Sequence, residues 1–297
     1  MNNSIFKLRL IFTLIILIGI TRAQNIPEPD IANGVYGKYE LNSFDFWKAS
    51  SNEPTPLVIY IHGGGFTSGS KEKVSHKMVS ELLSHGISVM SINYRLSPEA
   101  IFPEHYMDCA RAIQYMRFHA AEFNLNPHKI AVTGSSAGGC TALWIGFHDD
   151  MADTSNPDVV LRETTRLTCM AVTEAQSTLQ PEVIRELVGD IAFKHSFYKG
   201  GFFGLTPEEI KTDKAEQLIK QASPITYLTE DDPPVWAYYG RPKGEPDNVS
   251  DAIHHINFGL YLKEKMDNLG MECTIRDPEN CKSKTDEMIK FLVDKLK

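Results

Sequence analysis

The sequence predicts an α/β fold, a mostly parallel sheet with helices on both faces, and three observations carry that prediction. Strand-like and helix-like patterns alternate from Tyr39 to the C-terminus. A serine stands in GSSAGG (residues 134–139), at the passage from an apolar strand into a helix. A glycine cluster, HGGGF (62–66), follows directly on a buried apolar run. Parallel strands need long crossover connections, usually helical, so alternation is how a parallel sheet shows itself in sequence.

Taken in order, YELNSFDFW (39–47) alternates as a half-buried strand does, and PLVIYIHG (56–63) is apolar enough to be covered on both faces. KMVSELLSHG (77–86) has helical spacing and a glycine stop, ISVMSINYRL (87–96) is a strand, and YMDCARAIQYMRFHAAEFN (106–124) is a long amphipathic helix. KIAVTGSSAGG (129–139) turns from strand into the helix CTALWIGFHDD (140–150), and LTCMAVTEA (167–175) is again a strand. Residues 181–225 break the rhythm with short helices and aromatic loops, so they are expected to be an insertion that caps the sheet's active edge. PPVWAYYG (233–240) resumes as a strand, DAIHHINFGLYLKEKMDNLG (251–270) reads as one helix, MECTIRD (271–277) as the last strand and TDEMIKFLVDKLK (285–297) as a closing helix.

The 297 residues, 42% hydrophobic and 23% charged, suit one domain with a large core. Residues 1–23 have a basic start (Lys7, Arg9), an apolar run short for a bilayer and a small-residue end at Thr21 and Ala23. They are expected to be a signal peptide cut before Gln24, with an uncleaved membrane anchor as the alternative. The protein is then secreted or periplasmic, a single domain over 24–297, without stable membrane insertion after cleavage. A net charge of −8 argues against nucleic acid and anionic membrane surfaces as partners. Of the five cysteines, Cys109, Cys140 and Cys169 lie in apolar segments, whereas Cys273 and Cys281 flank a short polar loop that a disulfide could close. No zinc-ligand spacing is present, so no metal is expected.

GSSAGG fits G-x-S-x-G, with Gly134, Ser136 and Gly138. The serine of this pattern occupies a strained turn that lifts its hydroxyl above the sheet, where bulkier flanking residues would collide with strand and helix. The glycines of HGGGF let backbone N–H groups approach a substrate oxygen, and with the N–H of Ala137 they can hold a developing oxyanion. His62, at the strand end, reads as a brace for that loop. Together HGGGF, NYRLSPEAIFPEHYMDCARAIQYMR (93–117), NPHKIAVTGSSAGG (126–139) and PPVWAYYG resemble the α/β-hydrolase superfamily in its hormone-sensitive-lipase-like and feruloyl-esterase-like branch. The resemblance implies an α/β-hydrolase fold of about eight strands, serine esterase chemistry without a cofactor, Ser136 as nucleophile, and Gly64, Gly65 and Ala137 as oxyanion-hole donors. It makes Arg95, Glu99 and Asp108 scaffold.

One part of that family's pattern is absent. The proton-accepting histidine comes from the loop after the last strand, which here is PENCKSK (278–284), and no histidine follows His255. Groups useful to Ser136 must stand at the carboxyl ends of the strands, and RPKGEPDNVSDAIHHINFG (241–259) offers both residue types there. The expectation is therefore a relocated triad of Ser136, His254 and Asp247, since triads are defined by geometry rather than order. His255 stands open as the base, and Glu245 or Asp251 as the acid. A helix starting near Ser250 or Asp251 would put His254 in its first turn. His195, in the insertion, could stand near the substrate but far from a fixed acid, so it is set aside as the base. The expected function is hydrolysis of a small ester or an acylated carbohydrate through an acyl-enzyme on Ser136. The rival is a binding protein that keeps the pocket and has lost turnover.

Overall fold

The computed structural model describes residues 27–297; the expected signal peptide lies outside them. Among the described residues an eight-stranded sheet runs in the order β1-β2-β4-β3-β5-β6-β7-β8. The strands are β1 (Ile31–Val35), β2 (Ser43–Trp47), β3 (Thr55–Ile61), β4 (Ser88–Ile92), β5 (Leu125–Ser135), β6 (Cys169–Thr173), β7 (Val235–Tyr238) and β8 (Cys273–Arg276). β2 pairs antiparallel with both β1 and β4, and every other pairing is parallel. The α-helices are α1 (His76–Ser84), α2 (Glu104–Phe118), α3 (Ala120–Phe123), α4 (Ala137–Phe147), α5 (Pro181–Val188), α6 (Asp213–Ala222), α7 (Val249–Ile253), α8 (Asn257–Asn268) and α9 (Lys284–Leu296).

Side chains of a strand alternate between its faces, and β3 shows what that does here. Leu57, Ile59 and Ile61 join one core with Tyr106 and Ile113 of α2, Leu143 of α4 and Leu262 of α8. Val58 belongs to the other core, with Met78 and Leu82 of α1 and Met288, Leu292 and Leu296 of α9. Both faces are thus covered, which is why the parallel strands are continuously apolar.

Residues 181–225 comprise α5, α6 and short 3₁₀ turns between them. Phe202 and Phe203 are buried there, Phe202 against Phe66 of the glycine loop at 4.4 Å and Phe203 against Phe102. These rings are the apolar underside of the segment. The Phe102 N–H also donates to the Phe202 carbonyl at 2.8 Å, which ties the segment to the loop before α2.

Four sequence expectations are adjusted. DAIHHINFG does not run as one helix: α7 ends at Ile253 and α8 begins at Asn257, because the His255 ring nitrogen Nδ1 accepts the Asn257 N–H at 3.2 Å and the chain turns. Cys273 and Cys281 are free thiols, Cys273 being buried in β8. The Arg95 guanidinium holds Asp108 in two 2.8 Å contacts and Glu104 in a third; Glu99 is exposed and takes no part. The antiparallel edge strand β1 was not foreseen, since IANGV is mostly exposed and lacks an apolar face.

The Arg95–Asp108 pair is largely shielded, with side-chain exposures of 14% and 5%. Removing one partner leaves the other's charge buried, so Asp108→Asn is expected to cost about 3–5 kcal/mol, read as a lower urea midpoint at unchanged slope.

Candidate active site

β5, β6 and β7 end in register: Ser135 pairs with Thr173, and Thr173 with Tyr238. The next residues, Ser136, Glu174 and Tyr239, therefore form one row along the carboxyl edge of the sheet, where open parallel sheets place their sites. Ser136 has φ +52° and Glu174 has φ +52°, a conformation that costs a non-glycine residue about 1–3 kcal/mol. Ladder bonds hold both in place, from Ser136 N–H to the Thr173 carbonyl at 2.9 Å and from Glu174 N–H to the Tyr238 carbonyl at 2.8 Å. A side chain on Gly138 would strike the Ile61 carbonyl at 2.1 Å, so glycine is required for the helix to start this close to β3.

The Ser136 hydroxyl lies 2.8 Å from Nε2 of His254. Asn248 caps α7, its Oδ1 accepting the Asp251 N–H at 3.0 Å, and His254 closes the same helix at its carboxyl end. The helix is thus shifted toward the N-terminus relative to the expected start, and His254 reaches Ser136 from the last position rather than the first turn. The adjacent ring of His255 is buried and turned elsewhere, with Nε2 donating to the Gly244 carbonyl at 2.9 Å. Of the two histidines, His254 is the one whose ring stands at Ser136.

The expected acid is not at this site. Asp247 is exposed and makes no hydrogen bond or ion pair among the described residues, because the loop carries it outward before Asn248 starts α7. Glu245 is exposed too, and Asp251 faces Arg241 at 3.8 Å. The carboxylate beside His254 is Glu174, with Oε2 4.0 Å from Nδ1. That is an ion-pair separation: Nδ1 is buried without a hydrogen bond, and roughly 1 Å of approach would form one. Catalytic contacts commonly tighten only when substrate is bound. Glu174 could have been found in the sequence as a carboxylate directly after the strand next to the nucleophile strand.

Burial pushes the His254 imidazole below the ordinary value of 6.5. Glu174 opposes this, while Arg241, 3.9 Å from Glu174, and His195 add to it. The Ser250 carbonyl, near the ring, also favours the charged form.

Gly64 (φ +123°) and Gly65 (φ +60°) turn the loop after β3 toward Ser136. A side chain on Gly64 would meet the Ser68 carbonyl at 2.0 Å. The N–H groups of Gly64, Gly65 and Ala137 donate to no described residue. His62 braces the loop as expected. Its ring stacks on Tyr94 at 4.3 Å, Nδ1 bonds to the Gly63 carbonyl at 2.7 Å, and the Tyr94 hydroxyl donates to the His62 carbonyl at 2.9 Å.

Two cavities meet at Ser136. One, of about 30 Å³, is closed by Phe66, Cys140, Leu179, Phe197 and Ile253. The other is a wider groove of about 910 Å³ that includes Ser68, Glu174, Ser250 and His254 together with Tyr60, Val249 and Ile253. His195 borders both, its ring edge against Gly65 and its Nδ1 accepting the Phe197 N–H at 3.2 Å. Among the described residues no cluster of potential metal ligands occurs, and no helix is long and apolar enough to cross a membrane.

Residues 45–249 match the BD-FAE family. The chain belongs to that family. Esterase LipQ of Mycobacterium tuberculosis is 27% identical over 260 residues, which are 83% of this chain and 57% of that protein. A probable carboxylic ester hydrolase, LipM, of the same organism is 37% identical over 113 residues, 37% of this chain and 26% of LipM. The chain therefore spans little more than half of these relatives' length at most. Solved structures share the fold: an acetyl ester-xyloside bifunctional hydrolase from Caldicellulosiruptor lactoaceticus (21% identity, TM-score 0.66, covering 85% of this chain and 86% of that one) and Est2 of Thermogutta terrifontis with butyrate (19%, 0.66, 91% and 95%). The family and these α/β-hydrolase esterase structures agree with the fold class expected from the sequence.

Because burial dominates, the His254 imidazole is expected to titrate below 6.5. Arg241→Met, by removing a cation, raises that value, and Glu174→Gln, by removing an anion, lowers it further. Histidine NMR titration of the two variants reads both signs.

Proposed function

We propose that the protein is an exported serine carboxylic-ester hydrolase acting on short acyl groups carried by sizeable polar alcohols such as carbohydrates. The observation that carries the reading is the 2.8 Å contact between Ser136 and His254 beneath a loop of undonated N–H groups. In this mechanism Ser136 Oγ attacks the ester carbonyl carbon while His254 Nε2 takes its proton. Gly64, Gly65 and Ala137 donate to the oxyanion. His254 returns the proton to the departing alcohol, leaving an acyl-enzyme, which a water activated by the same imidazole then hydrolyses. Glu174 orients the ring and stabilises its cation, the role the sequence assigned to Asp247. No step calls for a cofactor.

The cavity shapes support the substrate class. The cavity of about 30 Å³, closed by Phe66, Leu179 and Ile253, favours a short acyl chain, whereas the groove of about 910 Å³ suits a larger alcohol. Relatives named esterase, and one named acetyl esterase from Salmonella schwarzengrund that is 37% identical over 103 residues, support ester hydrolysis. The N-terminal pattern of residues 1–23 supports export.

The test is turnover of p-nitrophenyl acetate. Ser136→Ala is expected to lose activity on the order of 10⁶-fold, and unchanged hydrolysis would sink the assignment. Glu174→Gln should lower kcat by about 10²–10⁴-fold while Asp247→Asn leaves it unaltered; the reverse result would restore Asp247 as the acid. Activity should fall as pH drops through the His254 titration, so the acid limb of kcat/KM lies below 6.5. Hexanoate should turn over far more slowly than acetate, and Leu179→Ala should narrow that gap.

A further inference from the structure

Beside the groove at Ser136 lies a second cavity of about 270 Å³, with Tyr60, Lys73 and Ser135 as the wall shared by the two. Its far side mixes Ser75, Thr133, Thr173, Lys284 and Thr285 with the apolar side chains of Met78 and Met288. Two cations therefore line one recess that shares a wall with the groove at Ser136.

Neither cation is spoken for. The Lys73 ammonium has no ion pair or hydrogen bond among the described residues, and Lys284 has only the Tyr238 ring, 5.7 Å away. Nearby acids are engaged with other bases: Glu72 with Lys71 at 3.0 Å, Asp286 with Lys77, and Glu287 with Arg276 at 2.8 Å. Glu174 lines the groove but faces His254 and Arg241. In a chain of net charge −8, two uncompensated cations around one concavity form a local reversal of the protein's field. Tyr60, half-buried in the shared wall, supplies an apolar face between serine and cations on which a sugar ring can rest.

We propose that this recess is a subsite for an anionic group, carboxylate or sulfate, on the alcohol portion of the ester, with Lys73 and Lys284 as its charge partners. The subsite rests on the ester-hydrolase reading, since it is defined by what lies next to the scissile bond. Its chemistry selects a uronate-type or sulfated sugar ester over its neutral counterpart. The gain is electrostatic and is weakened by salt, because both ammonium groups are open to solvent.

The experiment compares kcat/KM for three substrates with the same acetyl group: acetylated methyl glucuronoside, acetylated methyl glucoside 6-sulfate and neutral acetylated methyl glucoside. The expected result is a preference of about 10-fold for at least one anionic substrate at low ionic strength, shrinking toward parity as salt is raised. Which of the two is preferred identifies the anion. The double variant Lys73→Met, Lys284→Met should abolish the preference, read as the ratio of kcat/KM for each anionic substrate to that for the neutral glucoside. Equal rates on all three substrates, or a preference that survives in the double variant, overturns the proposal. Failure of the ester-hydrolase reading would show separately, as no turnover of p-nitrophenyl acetate. Calorimetric titration of wild type and double variant with methyl glucuronoside, glucose 6-sulfate and methyl glucoside then decides the subsite: loss of anion binding in the double variant upholds it, and equal or absent binding rejects it.

Discussion

The contact between the Ser136 hydroxyl and the His254 imidazole is the constraint to which the rest of the structure answers. It joins residues far apart in sequence and must be held to a fraction of an ångström. The fold meets that demand with backbone ladder bonds and with side chains that bond to backbone. Ser136 is fixed in a left-handed conformation by the ladder bond to Thr173, and His254 by a short helix started at Asn248. The Gln176 amide, bonded to the Ile253 carbonyl, ties the end of that helix to the chain leaving β6. A strand end positions Ser136 and a capped helix positions His254, which lowers the cost of orienting the pair for the proposed reaction.

Around that contact two electrostatic influences oppose each other. Burial disfavours the charged imidazole, as the proposed role of proton acceptor requires, while Glu174 favours the cation that role would produce. At 4.0 Å the carboxylate is near enough to stabilise charge without claiming the ring in the resting state. Arg241 sits between Glu174 and Asp251 at 3.9 and 3.8 Å, and so tempers the carboxylate's pull.

The fold was legible because the alternation of β3 and its successors, the glycines at 134 and 138 and the HGGGF loop are local patterns that tertiary context reinforces. His254 was also legible, by asking which histidines can reach the carboxyl edge of the sheet. Glu174 was not, because it was read as part of the strand LTCMAVTEA, whereas that strand ends at Thr173 and its next residue stands beside Ser136 only through the pairing of β5 with β6. The helix boundary at His254 escaped for a similar reason: His255, 2% exposed, is spent on the loop at Gly244 and the Asn257 N–H, bonds no periodicity reveals. Local patterns identify elements, whereas pairing register decides which of their ends meet.

That register has a consequence for how the molecule comes into being. Ser136, Glu174 and His254 are all synthesised before β8 and α9, yet α9 supplies the underside against which Ala131, Ala171 and Trp236 of β5, β6 and β7 pack. A nascent chain thus possesses Ser136, Glu174 and His254 while the face beneath β5, β6 and β7 still lacks the α9 side chains that share its core. α9 supplies no group to the contact at Ser136 yet completes the face behind it, so alignment depends on a helix that follows every one of those side chains in the chain.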